Sequence, residues 1–193
     1  MSTHFIGIGG IGVSALAKYY LALGRRVSGS DLTPSHITKE LSLLGAAITV
    51  GSHKKGHLPQ DAKEVIYTAA VSKNNPEFVE ARRRKLACKT YAEALGKLTE
   101  TQKTITIAGT HGKSTTTALA SLILQEGGYD PTVIIGTKIK EFGGSNFRRG
   151  YGGYFVIEAD EWNKSFLNYS PFIAAVTNID NDHLDYYRDL ADI

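Results

Sequence analysis

A glycine- and threonine-rich run between two apolar segments limits most strongly what this chain can fold into. The run is Gly-Thr-His-Gly-Lys-Ser-Thr at residues 109–115. Residues 104–108 before it are β-branched and apolar, as in a buried parallel strand, and residues 118–124 after it have the apolar face of a helix. Glycines at such a junction let backbone N–H groups approach phosphate oxygens. The sequence therefore predicts a strand, a phosphate-binding loop and a helix.

The composition of this loop indicates ATP as its ligand. We expect Lys113 to neutralise the β- and γ-phosphate charge, and the hydroxyl of Ser114 or Thr115 to bind Mg²⁺. The loop is a shortened form, because Ile107 stands where a full Walker A pattern has its first glycine. A plain glycine turn with a solvated lysine is the alternative, but it does not explain why a strand and a helix flank the loop. The expected ATP contacts are Gly109, Thr110, His111, Gly112, Lys113, Ser114 and Thr115.

A second glycine cluster lies near the start of the chain. A strand-like segment is followed by a Gly-x-Gly-x-x-Gly turn, a helix over residues 13–23, and a second strand that ends at Asp31, 19 residues after Gly12. In such a βαβ unit the helix start binds a diphosphate and the acid binds a ribose hydroxyl. A nicotinamide or flavin dinucleotide and a nucleotide sugar all fit, and glycines needed only for tight packing remain an alternative. The candidate residues are Gly7, Gly9, Gly10, Gly12, Ser30 and Asp31.

Acidic residues follow a buried strand in the second half of the chain. Residues 154–157 are apolar and aromatic, and Glu-Ala-Asp-Glu follows at residues 158–161. Acids at the carboxyl end of a strand beside a phosphate loop are typical Mg²⁺ ligands, so Glu158 is the expected one. A solvated acidic loop is the alternative. Another core strand, residues 172–176, leads to His183, which is expected at the ligand-binding edge of the sheet.

Strands and helices alternate along the chain, which predicts an α/β fold. We expect a Rossmann-like parallel-sheet domain over residues 1–99, followed by a P-loop-type α/β ATPase domain over residues 100–193. The polar stretch at residues 99–103 marks the boundary, because the second nucleotide motif begins directly after it.

Composition narrows the class of protein further. A net charge of +3 over 193 residues is too small to indicate a nucleic-acid partner. The single Cys88 cannot form an internal disulfide and suits a cytoplasmic protein. The apolar stretch at residues 5–23 contains four glycines and Lys18, so we interpret it as strand plus helix and expect no membrane association.

Several of these motifs resemble the Mur ligases, the ATP-dependent amide-forming enzymes that build the peptidoglycan stem peptide. Gly-Thr-His-Gly-Lys-Ser-Thr-Thr-Thr at 109–117, Glu-Ala-Asp-Glu at 158–161 and Thr-Asn-Ile-x-x-Asp-His at 177–183 look like the ATP-binding signatures of that family. The amino-terminal glycine turn, Gly-Ser-Asp at 29–31 and Asn-Pro-Glu at 75–77 are similar to the branch that joins L-alanine to UDP-N-acetylmuramate. Ser114 stands where that branch commonly has threonine.

The resemblance implies a cytoplasmic ligase of peptidoglycan precursor synthesis that uses ATP and Mg²⁺, with UDP-N-acetylmuramate and L-alanine as substrates. Lys113, Glu158 and His183 would be the catalytic residues. Ser114, Thr115, Glu158 and His183 would hold metal. The glycine turn at residues 7–12, with Ser30 and Asp31, would bind the UDP-sugar. No nucleic acid or membrane partner is implied.

The family has three domains, so the resemblance implies that this chain corresponds to the first domain and the front part of the second, and is inactive alone. Three other functions stay open. A relative that recycles murein tripeptide shares the phosphate-loop signature. A dinucleotide-binding oxidoreductase would use the first glycine turn but gives no role to Lys113 or Glu158. A nucleotide sensor would keep both loops without chemistry.

Overall fold

A computed structural model describes residues 1–180 and 187–188 of the chain. The chain divides into two compact units, Met1–Ala94 and Leu95–Ile193. Each unit has its own five-stranded sheet, so each is considered by itself.

The first unit is a parallel sheet with helices in the connections, as the alternating pattern predicts. Its elements are β1 (Ser2–Ile6), α1 (Ile11–Ala22), β2 (Arg26–Asp31), α2 (His36–Leu43), β3 (Ala47–Val50), β4 (Glu64–Tyr67), α3 (Pro76–Arg83) and β5 (Ala87–Thr90). The strand order is β3-β2-β1-β4-β5, and every pairing is parallel. The order reverses beside β1, and in open parallel sheets ligands bind at the carboxyl ends of the strands at that point.

The core of the first unit fixes β1 at its centre. All five residues of β1 are buried, and the Phe5 ring packs edge-on against Tyr20 of α1 with 5.8 Å between ring centroids. Ile6 of β1 also packs in an apolar cluster with Val65 of β4 and Phe78 of α3. The loops after β1, β2 and β4 are therefore carried on a rigid base.

The second unit has a mixed sheet. A helix, α4 (Tyr91–Thr99), precedes β6 (Lys103–Ala108), α5 (Lys113–Glu126), β7 (Thr132–Ile139), β8 (Ser145–Arg148), β9 (Tyr154–Glu158) and β10 (Ile173–Val176). The strand order is β10-β6-β9-β7-β8, and among the strands that the structure describes only the β7–β8 pairing is antiparallel. The α/β class and the strand, loop and helix around the phosphate loop are confirmed.

Within the described part of the chain, no helix combines the length and apolar character that crossing a membrane requires.

Candidate functional site

The phosphate loop of the second unit joins β6 to α5 and is held in shape by residues 177–180, which follow β10. The Thr110 N–H donates to the Asn178 backbone oxygen (3.1 Å), and the His111 N–H donates to Asn178 Oδ1 (2.9 Å). The Asp180 N–H donates to Thr110 Oγ1 (2.9 Å). The segment after β10 thus holds the loop in shape through hydrogen bonds within the protein, so the loop does not need a ligand in order to form.

Gly109 is the tightest point of this loop. Its φ is +124°, a conformation that side chains rarely adopt, and a Cβ at this position would overlap the Thr177 hydroxyl. That hydroxyl donates to the His111 backbone oxygen (2.7 Å). Glycine is therefore required both by the backbone angle and by the approach of residue 177.

The ammonium group of Lys113 lies against the backbone of the phosphate loop. Nζ donates to the Gly109 backbone oxygen (2.7 Å) and to Glu161 Oε1 (2.9 Å). Both side chains are largely withdrawn from water, at 18% and 9% exposure. The sequence did not predict a role for Glu161, although it is the last residue of the acidic segment 158–161. It is the counter-ion of the lysine that we expect to bind phosphate.

Glu158 ends β9 and has one carboxylate oxygen available. Its Oε2 accepts from the Gly136 N–H on β7 (2.7 Å), and a side chain at position 136 would overlap that oxygen. Its Oε1 is buried and has no hydrogen-bond partner among the described residues. Leaving a buried carboxylate oxygen unsatisfied is unfavourable, so this atom suits a cation.

The residues present fit a magnesium ion that arrives with phosphate. Among residues 1–180 and 187–188, no three or more His, Cys, Asp or Glu side chains converge into a preformed metal cage. Mg²⁺ is usually held by one or two carboxylates together with hydroxyls, waters and substrate phosphates. Glu158, and Ser114 and Thr115 in the first turn of α5, supply such groups. His183, also predicted at this site, lies outside the described residues.

In the first unit, the structure brings the predicted Gly9 and Asp31 together. The Gly9 N–H donates to Asp31 Oδ2 (2.8 Å), and the Gly10 N–H donates to the Gly7 backbone oxygen (3.2 Å). Gly12 leaves room for the ring of Tyr91. The Asp31 carboxylate therefore closes the glycine turn from the end of β2.

A cleft of about 560 Å³ opens above this turn. Gly7, Gly10 and Asp31 line it, together with His53 and Asn75. Ser30, predicted as a UDP-sugar residue, is fully buried, and its hydroxyl donates to Glu77 Oε2 (2.8 Å). This hydroxyl is therefore directed into the protein interior.

Glu77 is the centre of a buried polar cluster that sequence reasoning missed. Its Oε2 lies 2.7 Å from His4 Nε2, and its Oε1 lies 2.6 Å from His53 Nδ1 and 3.4 Å from His57 Nδ1. Burial raises the pKa of Glu77, but hydrogen bonds from His4, His53 and Ser30 outweigh it and lower that pKa below its ordinary value. The carboxylate is thus stabilised in its charged form.

The start of α3 orients Glu77. Asn75 caps the helix, because its Oδ1 accepts from the N–H groups of Glu77 (2.9 Å) and Phe78 (3.3 Å), and Pro76 occupies the first turn. The Asn-Pro-Glu sequence at 75–77 was recognisable as a helix start. The burial of its glutamate depends on His4 and His53, which are far away in sequence.

Comparisons with known proteins find relatives over nearly the whole chain. Residues 2–103 match the Mur ligase family, catalytic domain, and residues 107–193 match the Mur ligase middle domain. Proteins named UDP-N-acetylmuramate–L-alanine ligase from Desulforapulum autotrophicum and Syntrophotalea carbinolica are 48% and 50% identical over 190 residues, or 98% of this chain. The chain spans 41% of the length of each of these two relatives.

Solved structures that resemble this chain are also ligases by name. The UDP-N-acetylmuramate-alanine ligase of Thermotoga maritima matches with a TM-score of 0.88 and 33% identity, over 96% of this chain and 43% of that one. A UDP-N-acetylmuramate:L-alanyl-gamma-D-glutamyl-meso-diaminopimelate ligase from Neisseria meningitides matches with a TM-score of 0.87 and 27% identity, over 98% of this chain and 64% of that one. The chain belongs to the Mur ligase family.

Proposed function

We propose that this chain acts in a cytoplasmic, ATP-dependent ligase that joins L-alanine to UDP-N-acetylmuramate during peptidoglycan precursor synthesis. The observation that carries the proposal is the combination of Lys113 in a preformed phosphate loop with the available oxygen of Glu158. The names of relatives that are 46–50% identical to this chain supply the substrates.

The two parts of the chain are proposed to bind different substrates. We place the UDP-sugar on a first domain, residues 1–99, and ATP on a second, residues 100–193, a boundary five residues beyond the division between the two compact units. The two family matches, which end at residue 103 and begin at residue 107, support a boundary in this region. The proposed UDP-sugar contacts are the glycine turn and Asp31. Ser30 acts on this site indirectly, from beneath the cleft, through its hydrogen bond to Glu77.

The proposed reaction brings two anions together. The γ-phosphoryl group of ATP is transferred to the muramoyl carboxylate, and the alanine amine attacks the resulting acyl phosphate, so that phosphate leaves and an amide forms. Lys113 offsets the repulsion by exchanging Glu161 for phosphate oxygens, and backbone N–H groups at the start of α5 bind the same phosphates. A bound Mg²⁺ would neutralise further phosphate charge. Glu158, Ser114, Thr115 and His183 are the residues that we propose to hold it.

A thermal-shift panel tests this function against the alternatives. Ligands that bind only the folded state raise the unfolding temperature. UDP-N-acetylmuramate and Mg-ATP should each raise it, whereas NAD and NADP should not. Stabilisation by NAD but not by UDP-N-acetylmuramate would favour a dinucleotide oxidoreductase instead.

A murein peptide ligase is the second candidate, because a solved structure with that name matches with a TM-score of 0.82 at 27% identity. The UDP-N-acetylmuramate:L-alanyl-gamma-D-glutamyl-meso-diaminopimelate ligase, with a TM-score of 0.87 at 27% identity, supports the same candidate. The higher identity to L-alanine ligases favours the first candidate. The acceptor distinguishes the two functions. Release of phosphate from ATP by the whole protein should require UDP-N-acetylmuramate with L-alanine, and the tripeptide should not replace L-alanine.

A further inference from the structure

The buried cluster around Glu77 lies directly beneath the cleft of the first unit, and apart from Ser30 it has no part in the function described so far. We propose that Glu77 is a positioning residue that holds His53 as the cationic contact for the diphosphate of the nucleotide sugar. This inference rests on the proposed function, because the UDP-sugar is the ligand.

The geometry gives His53 one nitrogen for the protein and one for a ligand. Nδ1 lies 2.6 Å from Glu77 Oε1, whereas Nε2 has no hydrogen-bond partner in the described part of the chain. The ring lines the cleft together with Gly7 and Gly10 of the glycine turn. A carboxylate at Nδ1 fixes which nitrogen carries the proton and how the ring is oriented. Glu77 therefore directs Nε2 toward the ligand.

Glu77 is itself held so that it cannot turn away from His53. His4 Nε2 (2.7 Å) and the Ser30 hydroxyl (2.8 Å) both bind Oε2. Oε1 is therefore left for His53, with His57 Nδ1 at 3.4 Å. His4 is in turn 2.9 Å from the Ser28 hydroxyl. Hydrogen bonds from several strands and loops thus set the position of a single carboxylate oxygen.

The charged groups around the cleft make His53 the lining residue that is suited to contact an anion. The described residues that line the cleft include no lysine or arginine, and Asp31 adds a negative charge. His53 is the one lining side chain able to become positive. With a proton on each ring nitrogen, His53 can donate one hydrogen bond to Glu77 and one to a diphosphate oxygen. The titratable groups around this ring are Glu77 and His57 beneath it and Asp31 in the cleft.

Calorimetric titration of the full chain tests the proposal. UDP-N-acetylmuramate, UDP and uridine are titrated into the wild type, His53→Asn, Glu77→Gln and the double variant. Asparagine keeps a donor near the Nδ1 position but lacks the nitrogen that faces the cleft. Glu40→Gln is the control, because it removes a 2.6 Å ion pair with Lys18 that does not line the cleft.

We expect each single variant to weaken UDP-N-acetylmuramate and UDP binding about tenfold and to leave uridine binding within about twofold. If Glu77 acts through His53, Glu77→Gln should cost less than about twofold once His53 is asparagine. Glu40→Gln should bind all three ligands as tightly as the wild type does.

Three results would overturn the proposal. Unchanged UDP affinity in His53→Asn would do so while leaving the proposed function intact, and this variant decides the matter even if Glu77→Gln fails to fold. Additive effects of the two substitutions would exclude the coupling. A wild-type chain that binds no UDP-sugar would overturn this inference and the proposed function together.

Discussion

Glu158 ends β9 and Glu77 lies in the first turn of α3, and their hydrogen bonds give these two carboxylates different tasks. Both oxygens of Glu77 are bound by histidine and serine side chains. Glu158 uses one oxygen for the Gly136 N–H and leaves the other buried and unbound among the described residues. At the residue scale, Glu77 is therefore suited to positioning and Glu158 to binding a cation.

Replacing Glu158 with glutamine should raise the Mg²⁺ concentration needed for half-maximal ATP binding by about tenfold or more, because a charge-assisted contact is lost. The amide oxygen of glutamine can still accept from Gly136, so the fold should persist. Titration of Mg²⁺ at fixed ATP measures the effect. Glu126→Gln, at the exposed far end of α5, is the control. Equal Mg²⁺ requirements in the two variants would contradict the assignment.

Glu77 should make the first unit sensitive to acid. Its pKa is lower in the folded chain than its ordinary value of 4.5, because its hydrogen bonds outweigh the effect of burial. The unfolded chain therefore binds more protons between those two values, so stability falls as the pH drops from about 4.5 through the lowered pKa. Denaturant titration by circular dichroism should show this loss, and Glu77→Gln should reduce it. An identical pH profile in the variant would show that Glu77 does not contribute.

Among the structural elements, the loop between β6 and α5 depends most on a single residue. Gly109→Ala should destabilise the second unit by roughly 1–3 kcal/mol, because alanine disfavours its φ of +124° and would overlap Thr177. Gly112→Ala is the matched control, with a φ of +81° and no neighbouring atom within 4 Å of the added Cβ. The single tryptophan, Trp162, lies in this unit, so its fluorescence follows unfolding. Equal costs for the two substitutions would show that residue 177 does not restrain the loop.

Local patterns were sufficient to predict most elements of the fold. The helix predicted over residues 13–23 corresponds to α1, and the strand predicted over residues 104–108 corresponds to β6. The antiparallel β7–β8 pair was missed, although Gly143 and Gly144, both with positive φ, mark the turn before β8. Alternation of strands and helices favours parallel sheets and hides such a hairpin.

The candidate site was predictable where its residues are close in sequence. The phosphate loop could be found from a single run of ten residues, 108–117. The partnership of Lys113 with Glu161 spans 48 positions, and that of His4 with Glu77 spans 73. Such contacts depend on how strands are ordered in the sheet, so one sequence does not reveal them. Asp31 was predicted for a ribose, and in the structure its carboxylate accepts the Gly9 N–H.

At the scale of the whole molecule, each unit has one candidate ligand site at the carboxyl ends of its parallel strands. The first site has a glycine turn and a histidine held by a buried carboxylate. The second has a glycine loop, a lysine and a carboxylate suited to metal. The central claim is that these sites bind different substrates of one ligase.

Titration of UDP-N-acetylmuramate and of Mg-ATP into the wild-type chain and Lys113→Ala tests this claim most directly. Loss of a charge-assisted phosphate contact should weaken Mg-ATP binding about tenfold or more and leave UDP-N-acetylmuramate binding unchanged. Lys103→Ala, which removes an exposed lysine from the start of β6, is the control. The account predicts separate losses at separate sites. Equal weakening of both ligands, or unchanged Mg-ATP affinity, would contradict it.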